Sequence, residues 1–359
     1  SDAGSWDHVR ANLLWPAMRD TAILVAGVCL FSVLLGVPAA WCISTLQFRG
    51  RGLLSVLLVL PLAVPPYVAA FASTEAREAF IPTLVQIRLE MGVDAYLKFE
   101  LIHRFAWLIL IFSAVLYPYV FLACRSAFSG SSRRLAEASR ALGAGGWATF
   151  RKINLPLARP ALVAGLFLVA MEVINDYGAV HHLGINTMTV TIFRTWFSLG
   201  ELETARRLAG WMLLGIFTLV LLEQWQRGRR GFLSGQEGIP PRPKCGVAGS
   251  IICWLVCMIP VALGLLVPLF ILVQWWRAST RPDAAPEIFA AARNSLFLGV
   301  GVTLACLLLG LVIAGVARFT KRRSDRLMAQ ASGIAGYASP GAVMAAGVFA
   351  LAAALRLSL

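Results

Sequence analysis

Residues 137–160 read EASRALGAGGWATFRKINLPLARP and lie between two long apolar segments. Residues 133–142 predict a short helix, and its alanines would let the surface of another protein approach closely. Glycines that begin at Gly143 predict the end of this helix, because glycine adopts left-handed backbone angles without steric cost. The stretch therefore predicts a helix followed by a sharp turn.

The residues after this turn predict a second arm. A short helix is expected over 147–154, and Pro156 and Pro160 are expected to end it and to start the next membrane span. Two short helices joined by a sharp turn form a rigid, L-shaped projection. Such a projection is suited to transmit a push from a partner, whereas an ordinary basic loop between two spans would explain only the arginines.

The composition is that of an integral membrane protein. Hydrophobic residues make up 58% of the chain and charged residues only 14%, and the mean hydropathy is +0.75. A helix needs about 20 apolar residues to cross the hydrocarbon core, and its backbone hydrogen bonds are then satisfied internally. We therefore predict an all-α bundle of transmembrane helices. The eight predicted spans are residues 20–46, 53–73, 105–124, 160–180, 207–226, 249–276, 293–317 and 327–355.

The net charge of +14 does not indicate nucleic-acid binding, because the basic residues alternate between loops. More than half of the 32 lysines and arginines lie in four loops that carry few acidic residues. By the positive-inside rule these loops face the cytoplasm, and residue 1 is expected outside. The four loops are residues 47–52, 125–159, 227–248 and 318–326.

The chain shows no pattern of an enzyme or of a metal site. It contains no Gly-rich phosphate loop, no nucleophile with a paired base and no zinc motif. The seven cysteines are interpreted as small apolar side chains. Cys253 and Cys257 share a helical face, but no further ligand has metal-binding spacing, and the same holds for His181 and His182. We predict no cofactor and no bound metal.

The first two predicted spans match the spans from 293 onward at an offset of 274 residues, without gaps. The matched pairs include Gly27 with Gly301, Gly36 with Gly310, and Pro66 with Pro340. Gly36 to Ala40 is also a small-xxx-small step that permits close helix approach. The match predicts an internal duplication. It places a second copy of the glycine-turn loop near residue 411, so a longer polypeptide, extended at both ends, is expected.

The loop at 137–156 resembles the EAA loop of ABC importer permeases. That family has Glu-Ala-Ala, three residues, Gly, nine residues, Ile, one residue and Leu-Pro, and this chain keeps every spacing with Ser139 in place of the second alanine. The resemblance implies the type I, MetI-like permease fold and docking of the loop in a groove of an ATPase subunit. The coupling residues that it implies are Glu137, Ala138, Ser139, Gly143, Ile153, Leu155 and Pro156.

A second stretch, MEVINDYGAV at 171–180 with Gly184, 187–191 and 192–196, resembles the fused ferric iron permeases of ABC importers. Their two six-span halves form one polypeptide. The resemblance implies a first permease domain at 1–226, a cytoplasmic linker at 227–248 and the N-terminal part of a second domain at 249–359, which is expected to be truncated.

The same resemblance implies a permease subunit of the bacterial inner membrane that is not itself an enzyme. ATP hydrolysis is expected on a separate ATPase subunit, acting as a homodimer, and cargo is expected from a periplasmic or lipid-anchored binding protein. Membrane lipid is the only other expected partner. Alternative cargoes are thiamine, phosphonate or polyamine. A secondary transporter without an ATPase and a non-transporting sensor subunit are the alternative classes.

Glu172 and Asp176 are four residues apart and therefore share a helix face near the outer end of their span. Buried carboxylates in a membrane often mark a transport path, so Glu172, Asn175, Asp176 and Tyr177 are candidate path residues. The competing interpretation is that Asn175 and Asp176 cap the helix or pair with Arg194.

Residues 74–104 predict an amphipathic helix on the outer surface. Docking of a binding protein and simple contact with the membrane both fit this pattern.

Overall fold

The structure, a computed structural model, describes residues 10–78, 80–129, 135, 138–139, 141–227, 242–278 and 285–319 and a few positions between 341 and 348. Regular structure within these residues is helical, apart from an isolated bridge between Gln47 and Lys244. The helices are α1 Trp15–Thr45, α2 Arg51–Leu57, α3 Pro66–Ala72, α4 Thr74–Glu78, α5 Ile81–Met91, α6 Val93–Ser129, α7 Gly146–Thr149, α8 Leu155–Asn175, α9 Gly178–His182, α10 Met188–Phe193, α11 Leu202–Arg227, α12 Val247–Val261, α13 Val267–Ala278 and α14 Ala285–Phe319.

Six helical segments in the described part of the chain are long and apolar enough to cross a membrane. They contain or closely match six of the eight predicted spans, so the prediction of an all-α transmembrane bundle is confirmed. The predicted span at 327–355 lies outside the described residues except for isolated positions. The six segments are Asn12–Thr45, Val93–Ser129, Gly146–Asn175, Leu202–Gln226, Val247–Ala278 and Pro286–Val316.

The predicted span at 53–73 is not one continuous helix. Arg51–Ala63 and Pro66–Ala72 are bent against each other by 87°. Pro65 and Pro66 lack backbone donors, and a residue before proline is driven to extended angles. Val64 accordingly has ψ 113° and Pro65 ψ 136°. The pair is therefore a broken span or a re-entrant loop.

The prediction that Pro156 ends a separate helix is also wrong. The helix that begins at Gly146 continues to Asn175 through a π-helical turn at Phe150–Asn154. The Leu155 N–H donates to the Phe150 carbonyl, and Pro156 occupies the first turn after it, where helices tolerate proline. The span consequently begins in the loop and ends before residue 176, earlier than the predicted 180.

The outer segment at 74–104 is not one helix. It forms α4, α5 and the first turns of α6, and the chain changes direction at Gly92, which has φ +88°. An ion pair between Arg104 and Glu100 lies on the outer turns of α6. The segment therefore belongs partly to a membrane-spanning helix, which the sequence pattern did not indicate.

Helix α6 is the centre of the core. The largest fully buried side chains include Phe112, Tyr117 and Phe121 on this helix. A Cβ at Gly36 of α1 would lie 3.0 Å from the Tyr117 carbonyl oxygen, and one at Gly165 of α8 would lie 3.1 Å from Val120 Cα. Glycine thus lets α1 and α8 pack directly on the backbone of α6. The predicted close helix approach at Gly36 is confirmed.

Candidate functional site

The helical segment that contains Ser139 ends in a turn with one residue in left-handed backbone angles. Gly143 has φ +86°. The Leu142 N–H donates to the Ala138 carbonyl at 3.1 Å, and the Ala144 N–H donates to the Ser139 carbonyl at 3.0 Å. The second of these hydrogen bonds joins the first and last of six residues, 139–144, and the fifth of them is the left-handed glycine. This arrangement is a Schellman motif. The predicted break at Gly143 is therefore confirmed, while Glu137 lies outside the described residues.

The second arm begins at Gly145. Its carbonyl accepts the Thr149 N–H at 3.0 Å and the Thr149 hydroxyl at 3.1 Å, and Gly145 itself has extended backbone angles, φ −65° and ψ 157°. Because α7, the π turn and α8 are continuous, this arm is the first part of a membrane span.

A groove of ≈ 580 Å³ separates the two arms. Four of the predicted coupling residues line it, namely Ala138, Ser139, Ile153 and Pro156, whereas Gly143 and Leu155 do not. Leu142 lines it with 89% of its surface exposed. The groove is lined by Leu135, Ala138, Ser139, Leu142, Ala144, Lys152, Ile153, Pro156 and Leu157.

Phe150 attaches the second arm to the helix bundle. Its ring lies 5.5 Å from that of Trp41 on α1 and 6.4 Å from that of Phe128 on α6, both in edge-on geometry. On its other side Trp147 stacks on it at 5.4 Å, and Trp147 is 72% exposed. One row of rings therefore links the exposed loop surface to two spans.

The sequence pattern did not single out Leu142, Trp147 or Phe150. The available signal was the position of Leu142 and Trp147, two large apolar residues that flank the glycines at 143–146 in a basic loop. The anchoring of Phe150 depends on α1 and α6, and no local pattern indicates that contact.

Glu172 lies near the outer end of α8, half-buried against α6. Its Oε1 accepts a hydrogen bond from the Tyr119 hydroxyl at 3.1 Å. Asn175, one turn further on, has a buried side-chain oxygen with no protein hydrogen-bond partner among the described residues. The structure thus brings Glu172 and Asn175 to the same end of the span.

Asp176 is the first residue after this span and caps α9. Its Oδ1 accepts the N–H groups of Ala179 at 2.9 Å and Val180 at 3.2 Å. None of the ion pairs found in the described part of the chain joins it to Arg194. Capping, one of the two structural roles considered for it, is therefore confirmed, although it applies to the following helix.

Burial raises the pKa of the Asp176 carboxyl above its ordinary value, the two backbone N–H groups oppose this rise, and the nearby Glu172 carboxylate adds to it. A carboxyl with a raised native pKa contributes stability that is present below its unfolded pKa of about 4 and is lost as the pH rises through the native value.

Asp176→Asn is expected to remove this part of the pH dependence while keeping an oxygen for the cap. Thermal unfolding of the purified protein between pH 4 and 7 should therefore show a smaller decline for the variant than for the parent. Asp176→Ala should remove the same pH dependence and should be about 1 kcal/mol less stable than Asp176→Asn at every pH, because the cap is gone. Equal pH slopes for the parent and the Asn variant would contradict the assignment.

An outer cavity of ≈ 290 Å³ lies beyond the end of α8. Tyr177 forms one wall, stacked on His181 at 5.0 Å and in edge-on contact with Phe193 at 4.8 Å. Arg194 lies in the lining as well, together with Asn186 and Ser198. Hydrogen-bond donors therefore predominate among its polar groups.

Four cysteines converge where α1 meets α12 and the chain before it. Cys42 and Cys253 are hydrogen-bonded side-chain neighbours, and Cys245 and Cys257 lie close to them. All are free thiols. Within the described ranges, no group of three or more His, Cys, Asp or Glu side chains has an arrangement that could hold a metal ion.

The sequence profile of the family described as "binding-protein-dependent transport system inner membrane component" matches residues 32–222. The chain belongs to this family. It is the permease subunit of an ABC importer, a multi-pass protein of the inner membrane with the type I, MetI-like fold. Permeases of this family work with an ATPase and a substrate-binding protein.

Three relatives illustrate the range of cargo in the family. The permease is 30% identical to the molybdenum transport permease ModB of Escherichia coli K12, over 46% of this chain and 69% of that protein. It is 29% identical to ModB of Haemophilus influenzae, over 58% and 92%. It is 23% identical to the Fe(3+)-transport permease FbpB 2 of Haemophilus influenzae, over 81% of this chain and 55% of that protein.

Proposed function

We propose that this permease imports ferric iron and that its loop at 137–156 couples the import to ATP hydrolysis on a separate ATPase homodimer. The observation that carries the coupling is the groove between the two arms, which exposed Leu142 lines, together with exposed Trp147 on the second arm. An apolar surface of this kind on a cytoplasmic loop is suited to burial against a partner. Glu137, Ala138, Ser139, Gly143, Ile153, Leu155 and Pro156 are the proposed coupling residues.

The continuous helix explains how a movement of the ATPase would reach the cargo path. Gly146–Asn175 has 30 residues, which corresponds to roughly 45 Å of helix. One end carries Trp147 at the loop surface, and the other carries Glu172. The Phe150 ring contacts with Trp41 and Phe128 would pass the same displacement to α1 and α6.

Ferric iron is supported by the extent of the similarity to the Fe(3+)-transport permease. That similarity covers 81% of this chain, whereas the similarity to the two molybdenum permeases covers 46% and 58%. We propose Glu172, Asn175, Asp176 and Tyr177 as path residues, with the Glu172 carboxylate as the group that attracts a cation.

An oxyanion such as molybdate or sulfate is the second candidate cargo. The outer cavity favours it, because Arg194, Asn186 and Ser198 offer donors that suit an anion. The relatives that transport molybdenum also have the higher identity. The secondary-transporter alternative is not supported, since the family works with a binding protein.

Uptake into proteoliposomes that contain the permease, its ATPase and its binding protein separates the two cargoes. We expect ATP-dependent accumulation of labelled ferric iron and none of labelled molybdate or sulfate. Glu172→Gln should lower iron uptake about tenfold, because the path loses its charge, while Tyr119→Phe removes only the hydrogen bond to Glu172 and should change uptake less.

Uptake of molybdate or sulfate alone would overturn the iron assignment but leave the importer. Iron uptake that is unchanged in Glu172→Gln would remove this carboxylate from the path. ATP hydrolysis in the same vesicles, stimulated by the binding protein in both variants, shows that coupling is intact and that any loss arises in the path.

A further inference from the structure

A pocket of ≈ 980 Å³ lies where the cytoplasmic ends of α1 and α12 meet. It is separate from the coupling groove and from the outer cavity. Its lining combines three cationic side chains with an apolar wall and includes no acidic residue. The lining residues are Gln47, Phe48, Arg49, Gly50, Arg51, Gly52, Lys244, Cys245, Val247, Ser250, Ile251, Trp254, Leu255 and Met258.

Backbone contacts fix the frame of this pocket. The Gln47 N–H donates to the Pro243 carbonyl and the Cys245 N–H to the Gln47 carbonyl, both at 3.0 Å. The Trp254 indole N–H donates to the Arg49 carbonyl at 2.9 Å. Gly50 has φ +79°, and a Cβ there would lie 2.5 Å from the Trp254 ring. The two segments are therefore held together in one arrangement.

The positive charge around the pocket is concentrated. The Arg51 guanidinium donates to the Ile43 carbonyl at 2.9 Å and that of Arg242 to the Ser44 carbonyl at 3.0 Å, so these two side chains bond the last turn of α1. Arg49 and Lys244 are exposed at the rim. The first turn of α12 also opens here and adds the positive end of its dipole. An anion at the rim would be attracted by all of these groups.

The wall below the rim is apolar and faces outward. Ile251 is 55% and Leu255 58% exposed. A basic rim at the end of two spans, continued by an apolar surface along one of them, matches the two parts of a phospholipid.

We propose that this pocket binds an anionic phospholipid of the inner leaflet, with the phosphodiester at Arg49 and Lys244 and an acyl chain along Ile251 and Leu255. The charge complementarity selects an anionic headgroup over a zwitterionic one. The bound lipid would join the loop after α1 to the start of α12, so the two halves of the chain would share a ligand at their cytoplasmic junction.

Native mass spectrometry of the permease with phosphatidylglycerol and phosphatidylcholine tests this assignment. We expect preferential retention of phosphatidylglycerol, reduced about tenfold or more in Arg49→Gln with Lys244→Gln, since each cation near the membrane surface contributes on the order of 1 kcal/mol. Arg151→Gln with Lys152→Gln removes the same charge from an exposed pair on the same side and is the matched control. Equal losses in both double variants would overturn the proposal.

Cys245 offers a test that needs no substitution. It lies in the lining and is partly accessible, so its modification by N-ethylmaleimide in nanodiscs should be slower with phosphatidylglycerol than with phosphatidylcholine. Soluble glycerophosphate at the same concentration should protect little, because it lacks the acyl chain. If glycerophosphate protects Cys245 as well as the lipid does, the pocket is a phosphate site without lipid specificity. If only the ATPase subunit protects Cys245, the pocket is a contact with that protein. Either outcome overturns the lipid assignment.

Discussion

Gly143→Val is expected to lower ATP-driven transport about tenfold while leaving the helix bundle folded. Gly143 has φ +86°, and a residue with a Cβ pays roughly 1–2 kcal/mol for left-handed angles. A cost of about 1.4 kcal/mol lowers the equilibrium constant for forming the present turn tenfold. The two arms would then lose the arrangement that forms the groove. Uptake in proteoliposomes and ATPase stimulation by the binding protein measure the effect.

Gly145→Val is the matched control for this prediction. It lies two residues away in the same loop, its angles are accessible to any L-residue, and a Cβ there would meet nothing within 4 Å. We expect it to keep at least about half of the parent activity. If both variants transport at the parent rate, the loop does not couple the permease to its ATPase.

Gly264→Ala is expected to be the most destabilising single methyl addition among the described glycines. Gly264 lies in the π-helical turn Ala262–Leu266, where the α12–α13 span crosses α6. A Cβ there would lie 1.9 Å from the Ala114 carbonyl oxygen and 3.0 Å from Pro61 Cβ. The Ala114 carbonyl belongs to the backbone and cannot rotate away as a side chain would, so the Gly264 segment and α6 must move apart. We expect a loss of about 3 kcal/mol or more.

The loss should appear as a lower unfolding midpoint in detergent and a smaller yield of monodisperse protein. Gly301→Ala, which adds the same methyl group to α14, is the control, since nothing lies within 4 Å of a Cβ there. It should match the parent or exceed it slightly, because alanine favours helix. A Gly264 variant with the parent's midpoint would contradict the close packing of the turn Ala262–Leu266 on α6.

Much of the architecture is encoded in features that act locally. Apolar length alone predicts the spans, because a bilayer imposes it, and the glycine turn at 143 follows from the backbone freedom of one residue. The small-residue step at Gly36 is of the same kind, although its partner helix cannot be read from the pattern.

The remaining features depend on the rest of the protein. The bend at Pro65 and Pro66 could not be predicted from apolar length, because the apolar composition continues across it. The continuity of the helix through Pro156 depends on a π turn that has no compositional signature. Phe150, Tyr119 and Gly264 matter through residues that are distant in sequence, so their roles appear only once α1, α6 and α8 are placed beside them.

The central position of α6 has a consequence for biosynthesis. Helix α1 presents Gly36 to α6, and its Leu24 and Val28 are buried in the same core cluster as side chains of α6. Helix α6, however, leaves the ribosome only after α2 to α5 have been made. Helix α1 must therefore remain in lipid, or beside the translocon, and the surface that will pack on α6 stays exposed during this time. Nascent chains stopped before residue 129 should remain accessible to crosslinking at α1, and this access should close once α6 has entered the bilayer.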